Sequence, residues 1–525
     1  MAVDRASAVL PAWARDGAVY QIYPRSFQDT DGDGVGDLPG ILAHLDALQE
    51  LGVTTLWLSP VHPSPQADFG YDVADYVGVD PLFGTMDDLD ALIAGVHERG
   101  MRLILDGVFN HSSDQHPWFQ ESRSSRESPK RDWYIWRDAP NNWQSTFGGP
   151  AWTRDEGTGQ YYLHSFLPQQ PDLNWRNPEV VDAVLDVLRF WFERGIDGFR
   201  LDVYNCYLKH PQLADNPPHD SLLRRLGGMA YGYLAHEHLH DRDQPDLADA
   251  LRRMREVADG YGALLVGETM DEAFRYDRAR DGTGTDRLHQ VFHFGLLHSD
   301  WRADRLVDAI RDWIDQQPEG SWPTWVLSNH DFPRHPTRWG GGDERAKAIA
   351  ALVLTLPGTP YLYYGEELGM PETPLRRRDI VDPPGKRFWP VFKGRDGART
   401  PMPWSDARHG GFTTCTPWLP RGEPSRHVAA QKDDPHSVWS VYRQLLALRQ
   451  EAPFQEPLTH LEARDALVVW TLGDDVVGLM NATEARLVPS LPDLLTGDES
   501  LRFSTVADPQ PGHLAPHEAR FLVRS

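Results

Sequence analysis

GFRLDV, at residues 198–203, alternates apolar and ionic side chains. Successive side chains of a strand point to opposite faces, so Arg200 and Asp202 emerge on one side and Phe199 and Leu201 on the other. An arginine beside a buried aspartate favours the ionised carboxylate. Such a carboxylate at a strand end, aimed into a cleft, is a nucleophile candidate. A structural ion pair reads equally well from this stretch alone, so its neighbours have to decide.

Working outward, apolar and β-branched segments recur at 18–23, 54–58 and 102–108 before it, and at 264–269, 291–296, 324–327 and 360–364 after it. Helical periodicity separates them, as at 86–99, 178–194 and 343–356. Strands that alternate with helices in this way predict a parallel sheet, and their number predicts a closed (β/α)8 TIM barrel. A doubly wound sheet is the alternative, but no GxGxxG follows the first strand. An insertion rich in Trp, Pro, Asn and Gly follows the third strand and is expected to form a small domain on the functional face. A second, polar insertion at 208–245 follows the fourth. Beyond residue 454 the pattern changes to strand-like runs at 467–470, 476–480 and 521–523, which predict an antiparallel β domain. The expected division is 1–106 with 175–453 for the barrel, 107–174 for the inserted subdomain, and 454–525 for the C-terminal domain.

Composition narrows the function. The chain has 525 residues, 40% of them hydrophobic and 25% charged, as in an ordinary globular protein. A net charge of −25 argues against nucleic acid or an anionic membrane as partner. No apolar run approaches the ~20 residues of a membrane span. Asp4 and Arg5 interrupt what a signal peptide would need as its apolar core. The expectation is a cytoplasmic protein acting on a neutral small molecule. Cys206 and Cys415 form no CxxC pair, so neither zinc nor dithiol chemistry is expected.

In a barrel, catalytic groups lie at the C-terminal ends of strands. Those ends hold Asp106 and His111 after the third strand, Arg200 and Asp202 at the fourth, Glu268 at the fifth, and His330 and Asp331 at the seventh. Single strand-end acids are often helix caps, but several on one mouth point to chemistry. Clustered carboxylates without a metal or organic cofactor suit glycoside hydrolysis. One acid protonates the leaving oxygen while another attacks the anomeric carbon from the opposite face.

These stretches resemble the four motif regions of the α-amylase superfamily, glycoside hydrolase family 13: DGVFNH ending at His111, GFRLDV, VGET holding Glu268, and SNHD ending at Asp331. QIYPRSF, FGYDVADY, QPDLN at 170–174, YYGEELGM and RDGARTPMPW from Arg395 are similar to its exo-acting α-glucosidase and oligo-1,6-glucosidase branch. The resemblance implies that Asp202 is the nucleophile, Glu268 the general acid and then base, and Asp331 the group that binds the sugar's 2- and 3-hydroxyls. It implies that His111, His330 and Arg200 bind the same glucose and that Tyr71 stacks on it. Asp68 and an arginine would close the pocket behind it, Arg395 being preferred and Arg399 the alternative. Phe147 and Phe166 are either the wall for the leaving sugar or plain packing. Val203, directly after the nucleophile, is associated in this branch with α-1,6 preference, and QPDLN points the same way. The implied substrate is a short oligosaccharide or disaccharide. A sucrose- or trehalose-acting transglucosidase or isomerase is the rival. A catalytically dead scaffold relative would lack one of the three acids, and all are present.

DTDGDGVGD, at 29–37, places Asp29, Asp31, Asp33 and Asp37 at positions 1, 3, 5 and 9 of an EF-hand-like loop, with the Val35 carbonyl at 7. Gly40 stands where such a loop has its glutamate. A solvated acidic turn is the plain alternative. The family resemblance implies a structural Ca²⁺ or Mg²⁺.

Overall fold

The computed structural model describes residues 10–221, 232–270, 281–318, 320–489, 491, 494–495 and 499–524. Its strands run in chain order as β1 (Val19–Ile22), β2 (Thr55–Leu58), β3 (Arg102–Gly107), β4 (Trp136–Arg137), β5 (Trp152–Arg154), β6 (Tyr161–Leu163), β7 (Gly198–Leu201), β8 (Leu264–Gly267), β9 (Gln290–Val291), β10 (Thr324–Val326), β11 (Thr359–Tyr363), β12 (Leu458–Arg464), β13 (Leu467–Leu472), β14 (Val476–Asn481), β15 (Ser500–Ser504) and β16 (Ala519–Val523). Eight of them form one parallel sheet in the order β10-β11-β1-β2-β3-β7-β8-β9. At the seam between its two ends, the Thr324 hydroxyl donates to the Val291 carbonyl at 2.8 Å. The sheet is a nearly closed TIM barrel.

Period-two alternation sorts the barrel's side chains into two cores. Val19, Trp57, Ile104, Val266, Val326 and Tyr361 face inward and pack with Phe292 as a cluster of their own. Their neighbours Tyr20, Leu56, Leu103, Phe199 and Leu201 face outward into the main core with the helices. At β7 the inner position level with Ile104 is Gly198, where an added Cβ would sit 2.4 Å from the Leu264 carbonyl oxygen. The next inward side chain on that strand is Arg200, which pairs in register with Asp106.

Helices start where the sequence supplies caps. Thr85 and Asp88 form a reciprocal capping box before the helix Met86–Glu98. Asn177 caps Pro178–Glu193, whose proline occupies the first turn. The sixth expected strand is corrected: only Gln290–Val291 is extended, and Gly295–His298 is helical. A short apolar run does not distinguish strand from buried helix. The fourth strand also stops at Leu201, because Val203 turns the chain.

Between β3 and β7, β4, β5 and β6 make a small antiparallel sheet in the order β4-β6-β5. His111 pairs there with Asp172 through an isolated bridge, which returns the inserted segment to the barrel mouth. β12 to β16 form an antiparallel sheet in the order β12-β13-β14-β16-β15. No helix among the described residues is long and apolar enough to cross a membrane.

Candidate active site

The chain leaves β7 through a strained turn. Val203 has φ 37° and ψ 43°, a left-handed conformation that a β-branched residue adopts only at a cost. Two backbone bonds hold the turn in place. Asp202 N–H donates to the Gly107 carbonyl at the end of β3, and Tyr204 N–H donates to the Glu268 carbonyl just past β8, both at 3.1 Å. The turn therefore ties the carboxylates at 202 and 268 to one frame.

Arg200 is the centre of that frame and is fully buried. Its Nη1 donates to Asp106 at 2.6 Å and to Asp202 at 2.7 Å, and its Nη2 donates to Glu268. Asp106 also accepts from Tyr71 at 3.1 Å and from the Trp57 indole at 3.3 Å. The Tyr71 hydroxyl lies 2.7 Å from His330 Nε2, and the Gln21 amide donates to His330 Nδ1 at 2.8 Å. Nδ1 is thus an acceptor, and Nε2 carries the proton. Burial pushes the His330 pKa down to about 3, so the ring is neutral at ordinary pH.

One guanidinium facing three carboxylates does not neutralise them. Burial raises Asp202 to about 6, with Arg200 opposing and Asp106 adding to the rise. Desolvation outweighs Arg200, so the Asp202 pKa rises rather than falls, but at about 6 the group is still ionised at neutral pH. Glu268 is raised well above the carboxylate range by burial and by the charges of Asp202, Asp331 and Asp106. Asp331 goes the other way. Burial would raise it, but His330, Arg395, Arg399 and Arg200 together take it well below the usual range. The pKa values of two carboxyls on one cavity are thus separated by environment, Glu268 towards the protonated form and Asp331 towards the anion.

The far wall is a second ion network. Arg395 donates to Asp68 at 2.7 Å, to Asp331 at 3.1 Å and to Asp382 at 2.7 Å, and lies 5.2 Å over the Phe147 ring. Arg399 sits behind it, bonded to Asp331 at 3.1 Å and to the His330 carbonyl at 2.8 Å. Both arginines reach Asp331, but Arg395 lines the cavity and bridges to Asp68.

A cavity of about 230 Å³ is bounded by Asp68, Tyr71, His111, Phe147, Phe166, Asp202, Val203, Glu268, His330, Asp331 and Arg395. Every sugar-contacting residue expected from the sequence is on that surface except Arg200, which lies beneath it. Tyr71 is stacked on His330 with centroids 5.3 Å apart, and Phe147 meets Phe166 edge-on at 5.5 Å. The structure adds Thr146, Gln170, Thr269, Met270, Phe294 and Phe332 to the lining. Gln170 was within reach of sequence reasoning, since it opens the QPDLN stretch. Asp382 carried no motif signal, yet it is fully buried against Arg395.

The acidic loop lies apart from this cavity. Carboxylate oxygens of Asp29, Asp31 and Asp37 come within 4.8 Å of one another. Asp33 is outside that trio and accepts from the Val35 N–H at 2.7 Å. Asp37 also caps the helix Leu38–Ala43 by accepting from Gly40 N–H.

Residues 21–456 match the alpha-amylase catalytic-domain family. A probable alpha-glucosidase of Rhizobium meliloti (strain 1021) is 48% identical over 507 residues, covering 91% of each chain. An oligo-1,6-glucosidase of Parageobacillus thermoglucosidasius is 40% identical, covering 84% of each. Among solved structures, an alpha-glucosyl transfer enzyme is 40% identical with a TM-score of 0.90, covering 98% of this chain and 99% of that one. A trehalulose synthase variant is 34% identical with a TM-score of 0.87, covering 98% and 100%.

Proposed function

The chain belongs to the alpha-amylase family, glycoside hydrolase family 13, and on that premise we propose that it is a retaining, exo-acting α-glucosidase that releases glucose from the non-reducing end of short α-glucosides, with α-1,6 linkages favoured. The supporting observation is that Asp202 and Glu268 bond to the same guanidinium and face one cavity, whose far wall is the Asp68–Arg395 pair.

Asp202 attacks the anomeric carbon. Glu268, protonated because it is buried among other acids, gives its proton to the leaving glycosidic oxygen. The resulting glucosyl-enzyme is hydrolysed by a water that Glu268, now a carboxylate, deprotonates. Arg200 stays bonded to both groups and limits the charge left when each one changes state. Asp331, a permanent anion, accepts hydrogen bonds from the ring's 2- and 3-hydroxyls, and His111 and His330 bind the same ring. Asp68 and Arg395 end the cavity behind the sugar, so only a chain end is admitted.

Leaving groups meet a different surface. Phe147, Phe166 and Val203 belong to one apolar cluster with Cys206 and Met270. Val203 is held there by its left-handed turn, so its two methyl groups bear on the departing sugar. A methyl-sized contact decides about 1–3 kcal/mol of discrimination. We expect kcat/KM for isomaltose at least equal to that for maltose, and Val203→Thr to move the ratio towards maltose by up to about tenfold. A large excess for maltose in the natural chain would remove the linkage proposal.

The second reading is a sucrose- or trehalose-acting transglucosidase or isomerase. It draws on the trehalulose synthase likeness, whose chain is covered end to end. Product analysis on sucrose separates the two: free glucose supports hydrolysis, and an isomerised disaccharide supports the rival. Asp29, Asp31 and Asp37 would hold a structural Ca²⁺ or Mg²⁺, since three carboxylates gathered this closely gain from a cation. A cytoplasmic location is part of the same proposal.

A further inference from the structure

Lys209 is buried at 2% exposure, and it does not line the sugar cavity. Its ammonium faces Asp172 Oδ2 at 2.9 Å, Asn110 Oδ1 at 3.1 Å and Ser165 Oγ at 3.3 Å, and it also donates to the Cys206 carbonyl. An ammonium donates and never accepts, so Asn110 must turn its oxygen towards Lys209. That leaves the Asn110 Nδ2 as the atom facing His111 Nδ1, 3.1 Å away. His111 Nδ1 then accepts, and the ring proton sits on Nε2, 3.0 Å from the Tyr71 carbonyl. The Gln170 amide lies 3.2 Å from the same nitrogen, but its protons are directed at Tyr71 O and Asp68.

We propose that Lys209 is a positioning residue for His111, acting through the side-chain amide of Asn110 to fix which imidazole nitrogen carries the proton. The inference rests on the reading of His111 as a ligand of the terminal sugar. The relay spans three segments that meet only in the folded chain: Asn110 and His111 follow β3, Ser165 and Asp172 close the inserted segment, and Lys209 ends the turn after β7. The charged groups that bear on His111 are Asp172, Asp202 and Lys209. Burial lowers the His111 pKa, Lys209 lowers it further, and the two aspartates oppose them. A neutral ring whose Nδ1 accepts from Asn110 and whose N–H meets the Tyr71 carbonyl is held in one orientation at the cavity wall.

The test uses four altered enzymes assayed on isomaltose across pH. Lys209→Met combined with Asp172→Asn removes both buried charges together, so neither is left unpaired. Asn110→Leu removes the donor to Nδ1 and leaves Lys209 its other acceptors. Each should raise KM by about three- to tenfold, the worth of one hydrogen bond, with kcat changed less. Asn110→Leu should also move the acid limb of kcat/KM to higher pH, because Nδ1 becomes free to protonate, whereas the charge-removed pair keeps the Asn110 donor. Combining them should cost no more than the worse of the two. A KM unchanged in folded enzyme, or losses that add, would overturn the relay. His111→Ala is the control. If it leaves KM unchanged, the sugar-ligand reading of His111 fails; if it raises KM while the other variants do not, the relay alone fails. Should the charge-removed pair not fold, Asn110→Leu decides by KM and pH limb.

Discussion

Arg200 meets three carboxylates with one guanidinium, and the charge left over sets the pH dependence of the site. In the proposed mechanism Asp202 must be ionised to attack, and burial raises it to about 6. Glu268 must be protonated to donate, and burial with its acidic neighbours keeps it so above the ordinary carboxylate range. The expected kcat/KM profile on isomaltose is a bell. It falls below about pH 6 as Asp202 gains a proton and falls on the alkaline side as Glu268 loses one. Asp202→Asn should cut kcat by at least about 10³-fold. The fold should survive, because the change replaces a buried charge by a neutral amide of the same shape. Thermal melting beside turnover checks both parts, and an active Asp202→Asn enzyme would remove Asp202 as nucleophile.

At the scale of elements, the short helical turn Glu366–Leu368 after β11 has a pH response of its own. Both glutamates are buried: Glu366 accepts from Tyr442 at 3.2 Å and Glu367 from Tyr20 at 2.8 Å. Burial raises Glu366 to about 8 and Glu367 to about 7. The folded pKa of each exceeds the unfolded value of about 4.3. The folded chain therefore binds protons that the unfolded chain has released, and stability declines as pH rises. This contribution is full below the unfolded pKa and is lost through pH 7 to 8. Tm should fall between pH 6 and 9, and Glu366→Gln with Glu367→Gln should flatten that fall. A natural chain whose Tm does not change over that range would contradict the burial argument. The acidic loop gives the second element-scale prediction. If Asp29, Asp31 and Asp37 hold an ion, a chelator should lower Tm, with activity lost only as the protein unfolds. Unchanged Tm and activity would end that assignment. The loop also shows how far a motif reaches: the sequence spacing put four aspartates in register, but only three converge, and Asp37 doubles as a helix cap.

Across the whole molecule, the barrel and the C-terminal sheet share one core. Leu458, Leu461, Trp470, Leu472, Met480 and Phe521 belong to the same buried cluster as the barrel helices. Trp470 is fully buried and donates to Thr355 at 3.3 Å, on the helix Gly342–Thr355. Its cross-strand partner is Gly478, where a Cβ would lie 2.1 Å from the indole. Trp470→Ala should destabilise by about 3–5 kcal/mol. Calorimetry should show one transition that moves as a whole; a separate early transition for the C-terminal sheet would refute the shared core. What the sequence determined by itself was local: the alternation that makes the strands and the acids at their ends. Each depends on neighbours a few positions away, which a linear string displays. The tertiary structure alone decided that Arg395 rather than Arg399 lines the cavity, that Asp382 stands behind it, that the sixth strand is cut short, and that burial outweighs Arg200 at Asp202. Those outcomes depend on distances and desolvation among groups far apart along the chain, and such quantities exist only once it has folded.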